Sequence, residues 1–261
     1  MNAWLDGRYV ASEALPKVAH GVVAPFETMG AQAGAIALWD LHLQRLAATA
    51  VRLGLPFAPT AAVRGEAAEL LLQNGHADDV LRLQLVPGTG TVQVVMTTRS
   101  RGPHRAFVKL LPTVVERLPG DPPGDLKASP RRFYDAVMQQ AQDGGADDGI
   151  VVGNDGAVLE TGIANLWLRV DGVWVTPELD GRVLPGIARA QLLERAAAVG
   201  LPTAERRCGL DLLHRAQVLA VSNAVHGPRA ARLLGSAAPD VAIVDSELGR
   251  LWNRGAPGSS S

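Results

Sequence analysis

The sequence is poor in cysteine, aromatic residues and net charge, and each shortage excludes a class of function. Its 261 residues contain one cysteine, Cys208, which excludes an intrachain disulfide framework and a cysteine-cluster metal site. Aromatic residues make up 4% of the chain and the formal net charge is −1, which argues against nucleic acid as a partner. No apolar stretch is long enough to span a membrane, and the N-terminus lacks a signal-peptide pattern. We therefore expect a cytoplasmic protein with no membrane partner.

Common catalytic and ligand-binding motifs are also missing. The sequence has no glycine-rich dinucleotide or phosphate loop, no HExxH pattern and no GxSxG pattern. Its six histidines show no spacing typical of metal ligands. The sequence thus predicts no metal site, and any catalysis must come from other residues.

Lysine is rare, with three residues against twenty-two arginines, and one of the three has an unusual position. Lys127 lies just after the segment PGDPPGD, residues 119–125. An arginine keeps its proton in a protein, whereas a lysine amine can be tuned to lose it and attack a carbonyl. The residues around Lys127 fit a solvated lysine without function as well as a catalytic one. Patterns elsewhere in the chain are needed to choose between the two interpretations.

The same proline- and glycine-rich segment suggests how the chain divides. Three prolines and two glycines in residues 119–125 favour a linker, which predicts a small domain at 1–118 and a larger one at 126–254. The first contains strand patterns and an amphipathic helix in DLHLQRLAATAVRLGLP. The tail at 255–261 is expected to be disordered. Lys127 would then lie at the junction of two domains, where ligand sites are common.

Three patterns in the second half fit either a ligand site or ordinary structure. LPGIAR places a glycine directly before a helix, whose first N–H groups bind anions such as phosphate, but an ordinary turn also fits. Glu160 follows a strand pattern in VLETGIANLWL, where a carboxylate is not needed for packing, or is simply an edge charge. Ser222 and Asn223 end the apolar strand VLAVSN, where they could bind a ligand or form a turn.

The order and spacing of these patterns resemble the class IV aminotransferase family, the fold-type IV enzymes that depend on pyridoxal 5′-phosphate. The resemblance covers nearly the whole chain, through FETM, HLQRLAATAVRLGLP, Lys127, GADDGIVVGNDGAVLETGIANLWLRVDGVWVTP, LPGIARAQLLERAAAVGLP and LLHRAQVLAVSNAVHG. It implies an α+β fold with a small N-terminal α/β domain and a larger cofactor-binding domain containing a mixed sheet or barrel. It also implies a homodimer, which the apolar strand patterns of the N-terminal part favour as well.

The resemblance assigns a role to each candidate residue. Lys127 matches the lysine that holds the cofactor aldehyde and later moves the substrate proton. Glu160 matches the glutamate that pairs with the pyridine nitrogen and keeps it protonated, which makes the ring a better electron acceptor. The cofactor phosphate would be bound or surrounded by Arg45, Ile187, Ala188, Ser222 and Asn223.

The sequence departs from the family pattern at four places, which affect the substrate more than the cofactor. Ala188 stands where the family usually has threonine, so a hydroxyl contact to the phosphate is missing. The usual arginine–glycine pair reads Pro87-Gly88, so a candidate arginine for the substrate carboxylate is absent. KVAHGVVAP replaces the usual Asp-Arg-Gly segment before FET, and Pro130 stands where an asparagine is common.

FETM and SNAVHG are most similar to the 4-amino-4-deoxychorismate lyases, which eliminate pyruvate to give 4-aminobenzoate for folate synthesis. Strand alternation points Thr28 and Phe26 to one face and Glu27 to the other. Thr28 could then pass a proton to the departing enolpyruvate, or simply fit a strand. Arg131, and less readily Arg132, could bind a carboxylate of this small amino substrate, or both could be solvated. Transamination, whether of branched-chain or D-amino acids, and a non-catalytic homologue stay open as alternatives.

Overall fold

The computed structural model describes residues 1–58, 62–103 and 105–252. These residues form two compact units: unit 1 consists of Met1–Pro103 and Leu126–Pro130, and unit 2 of 105–125 and 131–252. The tail predicted at 255–261 lies outside the described residues. Within the described ranges, no helix has the length and apolar character needed to cross a membrane.

Strands outnumber helices among the described residues. In order, the strands are β1 (Asn2–Leu5), β2 (Arg8–Ala11), β3 (Ala24–Gln32), β4 (Ala35–Ile36), β5 (Val80–Pro87), β6 (Val92–Arg99), β7 (Phe107–Thr113), β8 (Ala128–Ser129), β9 (Asp148–Val152), β10 (Ala157–Thr161), β11 (Asn165–Val170), β12 (Val173–Pro177), β13 (Thr203–Arg206), β14 (Cys208–Gly209), β15 (Val218–Asn223) and β16 (Gly227–Leu233). The helices are α1 (Trp39–Arg52), α2 (Ala62–Gln73), α3 (Arg132–Asp143), α4 (Ile187–Ala198), α5 (Leu210–Arg215) and α6 (Val241–Glu247), with 3-10 turns at Ser12–Ala14 and Gly249–Leu251.

Unit 1 is an antiparallel sheet that packs against α1 and α2. Its strand order is β2-β1-β6-β5-β3-β4, and the short β8 pairs with β3. Leu46 and Ala50 of α1 share one apolar core with Leu70 and Leu71 of α2 and with the sheet. Helix α1 ends where Gly54 takes a φ of +65°, a conformation that glycine adopts without strain.

The alternation along β3 separates two faces of this sheet. Met29 belongs to the core shared with the helices, and Glu27 points to the same side, where it contacts α1. Phe26 and Thr28 therefore point to the opposite face. This is the orientation that the sequence alternation predicts.

Unit 2 is built around a closed barrel of six strands. The order is β11-β15-β16-β7-β9-β10, and β10 pairs again with β11 through Glu160 and Asn165. Strands β12, β13 and β14 extend the sheet beyond the barrel. Apolar residues of the barrel strands, such as Leu110, Ile150 and Leu166, form a buried core. A second core joins Trp167 to residues of α4 and α6.

The division of the chain differs from the predicted one. Strand β7 belongs to unit 2, because it pairs in parallel with β16 and β9 and its Val108 and Leu110 join the barrel core. The first segment of unit 1 therefore ends at Pro103 rather than at 118, and within the described residues Leu126–Pro130 also belongs to this unit. Residues 119–125 are part of unit 2. The pairing partners of β7 are distant in sequence, which is why its local pattern did not reveal its unit.

Candidate active site

Lys127 is fixed to the sheet of unit 1 by backbone pairing. Its carbonyl accepts a hydrogen bond of 3.0 Å from the N–H of Phe26, and its Nζ lies 5.1 Å from the centroid of the Phe26 ring. The side chain is half-buried. Of the other lysines, Lys17 is exposed and Lys109 donates from Nζ to the carbonyl of Gly145. Lys127 thus differs from both in lying over an aromatic ring on a sheet face.

Arg82 lies on the same face and was not predicted as a site residue. Its guanidinium carbon is 3.6 Å from the centroid of the Phe26 ring. It donates to the Oγ of Ser129 over 3.1 Å and to the Oε1 of Gln84 over 3.3 Å. Its register partner on β3 is Thr28, and directly paired residues share a face. This face therefore combines an amine, a hydroxyl and a guanidinium group.

The sequence contained a signal for Arg82. In LRLQL, the leucines 81, 83 and 85 are fully buried, so that Arg82 and Gln84 must point to the opposite face. Period-two alternation thus identifies two polar residues on the face that also carries Phe26. The family resemblance instead places the expected substrate-binding arginine at Pro87-Gly88, where this sequence has none.

Behind this sheet, Glu27 binds two residues of α1. Arg45 donates from Nε to Oε1 over 2.8 Å and from a terminal nitrogen to Oε2 over 2.6 Å, and His42 Nδ1 lies 2.7 Å from Oε2. Burial alone would raise the pKa of Glu27, but the charge of Arg45 and hydrogen bonds from Arg45 and His42 outweigh it and lower the pKa to about 2. Glu27 is therefore ionised, and Arg45, the predicted phosphate ligand, is held in place by it.

The ring of His42 is neutral in this setting. Burial lowers its pKa, and the hydrogen bond and charge of Glu27 oppose that effect only in part. Because Nδ1 faces a carboxylate, Nδ1 carries the proton and Nε2 is an acceptor. Nε2 is buried and has no hydrogen-bond partner among the described residues. An acceptor of this kind binds a donor or a water, and not a phosphate oxygen directly.

In unit 2, Glu160 is a buried carboxylate and not a solvated edge charge. Its side chain is 4% exposed. The hydroxyl of Tyr134 donates to Oε1 over 2.6 Å. The N–H of Leu184 and the Nδ2 of Asn165 donate to Oε2 over 3.1 and 3.4 Å. Donors on both oxygens fix the orientation of the carboxylate.

The start of α4 in the same unit offers unbonded helix N–H groups. The first helical bond runs from Ala190 N–H to the carbonyl of Gly186, so the helix itself does not use the N–H groups of Ile187 and Ala188. A Cβ on Gly186 would lie 1.8 Å from the Oδ1 of Asn165, so that only glycine fits. Asn165 also donates to the carbonyl of Leu184 over 2.9 Å. It thus links the Glu160 carboxylate to the start of α4, where the prediction places the phosphate.

Ser222 and Asn223 have structural partners. The Oγ of Ser222 accepts a hydrogen bond of 2.9 Å from Trp167 Nε1. The Oδ1 of Asn223 accepts from the N–H groups of Val225 and His226, so Asn223 shapes the turn between β15 and β16. A role for either residue in binding a ligand stays a prediction.

The two arginines after Lys127 both belong to unit 2 and have different partners. Arg131 donates to the carbonyl of Gly162 over 2.9 Å, two residues after Glu160. Arg132 pairs with Asp121 and donates to the carbonyl of Pro119, so it holds the 119–125 segment. Arg131 is thus associated with the Glu160 loop, whereas Arg132 has a structural role.

The structure groups the candidate residues by unit. Unit 1 carries Lys127, Thr28 and Arg45, together with the newly found Arg82, and unit 2 carries Glu160, Ile187, Ala188, Ser222, Asn223 and Arg131. Across the residues described, no cluster of three or more His, Cys, Asp or Glu side chains is arranged to hold a metal ion.

The sequence matches the family model of amino-transferase class IV over residues 24–234. The chain belongs to this family. Its members are lyases and transaminases that depend on pyridoxal phosphate. The predicted enzyme class is therefore confirmed.

Individual relatives include both reaction types. The 4-amino-4-deoxychorismate lyase from Pseudomonas aeruginosa is 27% identical and superimposes with a TM-score of 0.78, covering 95% of this chain and 98% of that one. A fold IV-transaminase from Curtobacterium pusillum is 25% identical, with a TM-score of 0.75 and coverages of 93% and 90%. The aminodeoxychorismate lyase of Bacillus subtilis is 25% identical over 249 residues, 85% of this chain and 83% of the relative. These similarities confirm the predicted fold class.

Proposed function

We propose that this protein binds pyridoxal 5′-phosphate and is a 4-amino-4-deoxychorismate lyase that releases pyruvate and forms 4-aminobenzoate. The observation that carries the proposal is the polar face of unit 1, where Lys127 and Arg82 both lie over Phe26 and Thr28 is paired with Arg82. A lyase acting on an anionic amine needs a base, a carboxylate-binding group and a proton donor for the leaving group. One sequence relative and one solved structure reported above are aminodeoxychorismate lyases by name, which supports the choice.

The residues present fit the cofactor. Glu160 would supply a buried carboxylate for the ring nitrogen, and the start of α4 would supply N–H groups for the phosphate. The role of Arg45 at the phosphate stays a prediction, because its side chain binds Glu27 on the face of the unit 1 sheet opposite to Phe26 and Thr28. When bound, the cofactor supplies a ring that accepts the electrons released at the substrate carbon.

The residues of this chain would then act in a defined order. Lys127 would hold the cofactor through Nζ and, once released from it, would remove the proton from the amine-bearing carbon of the substrate. Arg82 binds a substrate carboxylate and orients the enolpyruvyl ether. Thr28 would pass a proton to the enolpyruvate as it leaves, and the proton that Lys127 takes from the substrate carbon would replace the one that Thr28 gives up. Glu160 would favour the protonated form of the ring nitrogen.

Transamination is the second candidate, because the family and several relatives carry out this reaction. It would use the same lysine and glutamate, but it needs a 2-oxo acid as amino acceptor and has no use for a proton donor at a leaving group. The dependence on an acceptor therefore separates the two reactions.

The first test follows product formation and the site of cofactor attachment. With aminodeoxychorismate, the purified protein should form 4-aminobenzoate and pyruvate in equal amounts without an added 2-oxo acid. Borohydride reduction and peptide mapping should place the cofactor on Lys127. Products that require a 2-oxo acid would support the transaminase instead. A label on Lys17 or Lys109, or no bound cofactor, would overturn the cofactor assignment.

We also propose that the protein works as a cytoplasmic homodimer. Unit 1 exposes the apolar side chains of Leu41, Val51 and Leu72, and apolar surface of this kind is often covered by a second copy. Analytical ultracentrifugation at micromolar concentration should show the dimer, whereas a fully active monomer would contradict it.

A further inference from the structure

Tyr134 forms the shortest of the hydrogen bonds described above for Glu160. Its hydroxyl donates to Oε1 over 2.6 Å, against 3.1 Å for Leu184 and 3.4 Å for Asn165 on Oε2. A short bond from a hydroxyl to a carboxylate is charge-assisted and about twice as strong as a neutral one. Neither the sequence patterns nor the family resemblance pointed to this residue.

We propose that Tyr134 is a positioning residue that controls the basicity of Glu160, an inference that rests on the function proposed above. Tyr134 acts through Glu160 and does not itself touch the reacting atoms. By donating to Oε1, it stabilises the charged carboxylate and makes Glu160 a weaker base. A weaker base leaves the shared proton on the cofactor ring nitrogen and does not withdraw it to oxygen.

The hydroxyl of Tyr134 is suited to be a permanent donor. Burial, followed by the charge of Glu160 and the hydrogen bond to it, raises the pKa of Tyr134 far above its usual value, and Arg117 opposes this only in part. The phenol therefore keeps its proton over the whole physiological range. The phenol is therefore a lasting donor, and its hydrogen bond runs from Tyr134 to Glu160.

The ring of Tyr134 is held on several sides. The guanidinium carbons of Arg117 and Arg131 each lie 5.3 Å from its centroid. The neighbouring Phe133 ring stands edge-on at 5.1 Å, and Arg117 lies 3.9 Å from the centroid of that ring. These contacts restrict the phenol to the orientation in which its hydroxyl reaches Glu160. The contact of Arg131 with the Tyr134 ring also gives Arg131 a role that does not require contact with substrate.

The test uses Tyr134→Phe, which removes the hydroxyl and keeps the ring. Nitrogen-15 NMR of the wild type loaded with ring-labelled pyridoxal phosphate should show a protonated ring nitrogen. In Tyr134→Phe the resonance should move toward the unprotonated position, and kcat should fall about ten-fold with KM little changed, as expected for loss of one charge-assisted hydrogen bond. The melting temperature reports whether the variant is folded.

The chain offers a matched control, because its other tyrosine also donates to a glutamate. Tyr9 contacts the Oε2 of Glu69 over 2.9 Å in unit 1, and Tyr9→Phe should change neither the resonance nor kcat. In a Glu160→Gln background, Tyr134→Phe should cost less than two-fold, because there is no carboxylate left to tune.

Two results would overturn the inference while leaving the proposed function intact. One is an unchanged resonance in Tyr134→Phe. The other is the same ten-fold loss of kcat in the Glu160→Gln background, which would show that Tyr134 acts on packing alone. If the wild type binds no pyridoxal phosphate, the proposed function fails first, so the two failures are distinguishable.

Discussion

At the scale of single residues, Arg82 is expected to determine how tightly an anionic substrate binds. Replacing it with glutamine removes the guanidinium and should raise KM for aminodeoxychorismate about 10- to 100-fold, the range expected for one hydrogen-bonded charge. Arg82→Lys should recover only part of this loss, because an ammonium group cannot bind a carboxylate in the bidentate way. Steady-state kinetics give these values, and the dissociation constant of pyridoxal phosphate should change less than two-fold.

Arg99 provides the control for Arg82. It lies at the end of β6 in unit 1, is exposed and contacts only the backbone of Ser100 among the bonds described for it. Arg99→Gln should keep the wild-type KM, so that the effect of net charge is separated from that of position. An equal rise of KM in both variants would mean that Arg82 has no specific contact with the substrate.

The residue scale also shows what the sequence could and could not predict. Strand alternation correctly separates Glu27 from Thr28 and Phe26, because side chains alternate with a fixed period of two. Alternation does not show which of the two faces carries the functional site. For this reason Arg82 could not be identified as a site residue from its strand pattern alone. The sequence does not show whether Glu160 binds a ligand or is an edge charge, because the burial of Glu160 depends on its contacts with Leu184 and Asn165.

At the scale of elements, Glu27 of β3 and the neutral His42 of α1 are in contact. This contact should make the free energy of unfolding depend on pH. His42 has a lowered pKa in the folded protein, so it stays neutral where an unfolded histidine binds a proton. The unfolded state therefore takes up more protons below about pH 6.5, and the free energy of unfolding falls as the pH drops. Glu27 adds to this loss only from about pH 4.5 toward its folded pKa of about 2.

Urea unfolding at pH 7.5 and 5.5 measures this dependence. His42→Gln should make the profile shallower, by at most about 1.4 kcal/mol per pH unit below pH 6.5, the limit for one proton. The exposed His20 provides the control, and His20→Gln should keep the wild-type profile. The assignment is wrong if both variants behave alike.

Element boundaries show a second limit of prediction. The motif SPRRF favours a helix with Ser129 as its cap and Pro130 in its first turn. In the structure, Ser129 belongs to β8, where it pairs with Ala24, and α3 begins at Arg132. Pairing with a strand more than a hundred residues earlier outweighs the local capping preference, and no local pattern contains that information.

At the scale of the whole molecule, the segment predicted as a linker is a packed part of unit 2. A Cβ on Gly124 would lie 2.1 Å from the carbonyl oxygen of Arg182, so the two backbones touch directly. Gly124→Ala should destabilise the protein by about 1–3 kcal/mol, as expected for overpacking. The same shift should weaken cofactor binding, because Lys127 follows three residues later.

Gly65 in α2 gives the opposite case. Apart from the adjoining residues and the backbone of the helix itself, no heavy atom of the described residues lies within 4 Å of a Cβ placed there. Alanine also favours a helix by about 0.5–1 kcal/mol over glycine. Gly65→Ala should therefore stabilise the protein and leave cofactor binding unchanged. Thermal unfolding of both variants checks the prediction, and a neutral Gly124→Ala would show that the segment is a flexible linker after all.

The pairing of β8 with β3 has a consequence for the protein while it is still being made. Ala24 and Pro25 of β3 pair with Ser129 and Ala128. Because β8 is synthesised later than β3, this part of β3 is unpaired on the ribosome for roughly 5–20 seconds at normal elongation rates. An unpaired strand edge in a nascent chain can join another chain and aggregate. Pro25 has no N–H to donate, which makes the waiting edge a poor template for such pairing. Replacing Pro25 by valine should thus lower the yield of folded protein in cells more than it lowers the stability of the folded protein.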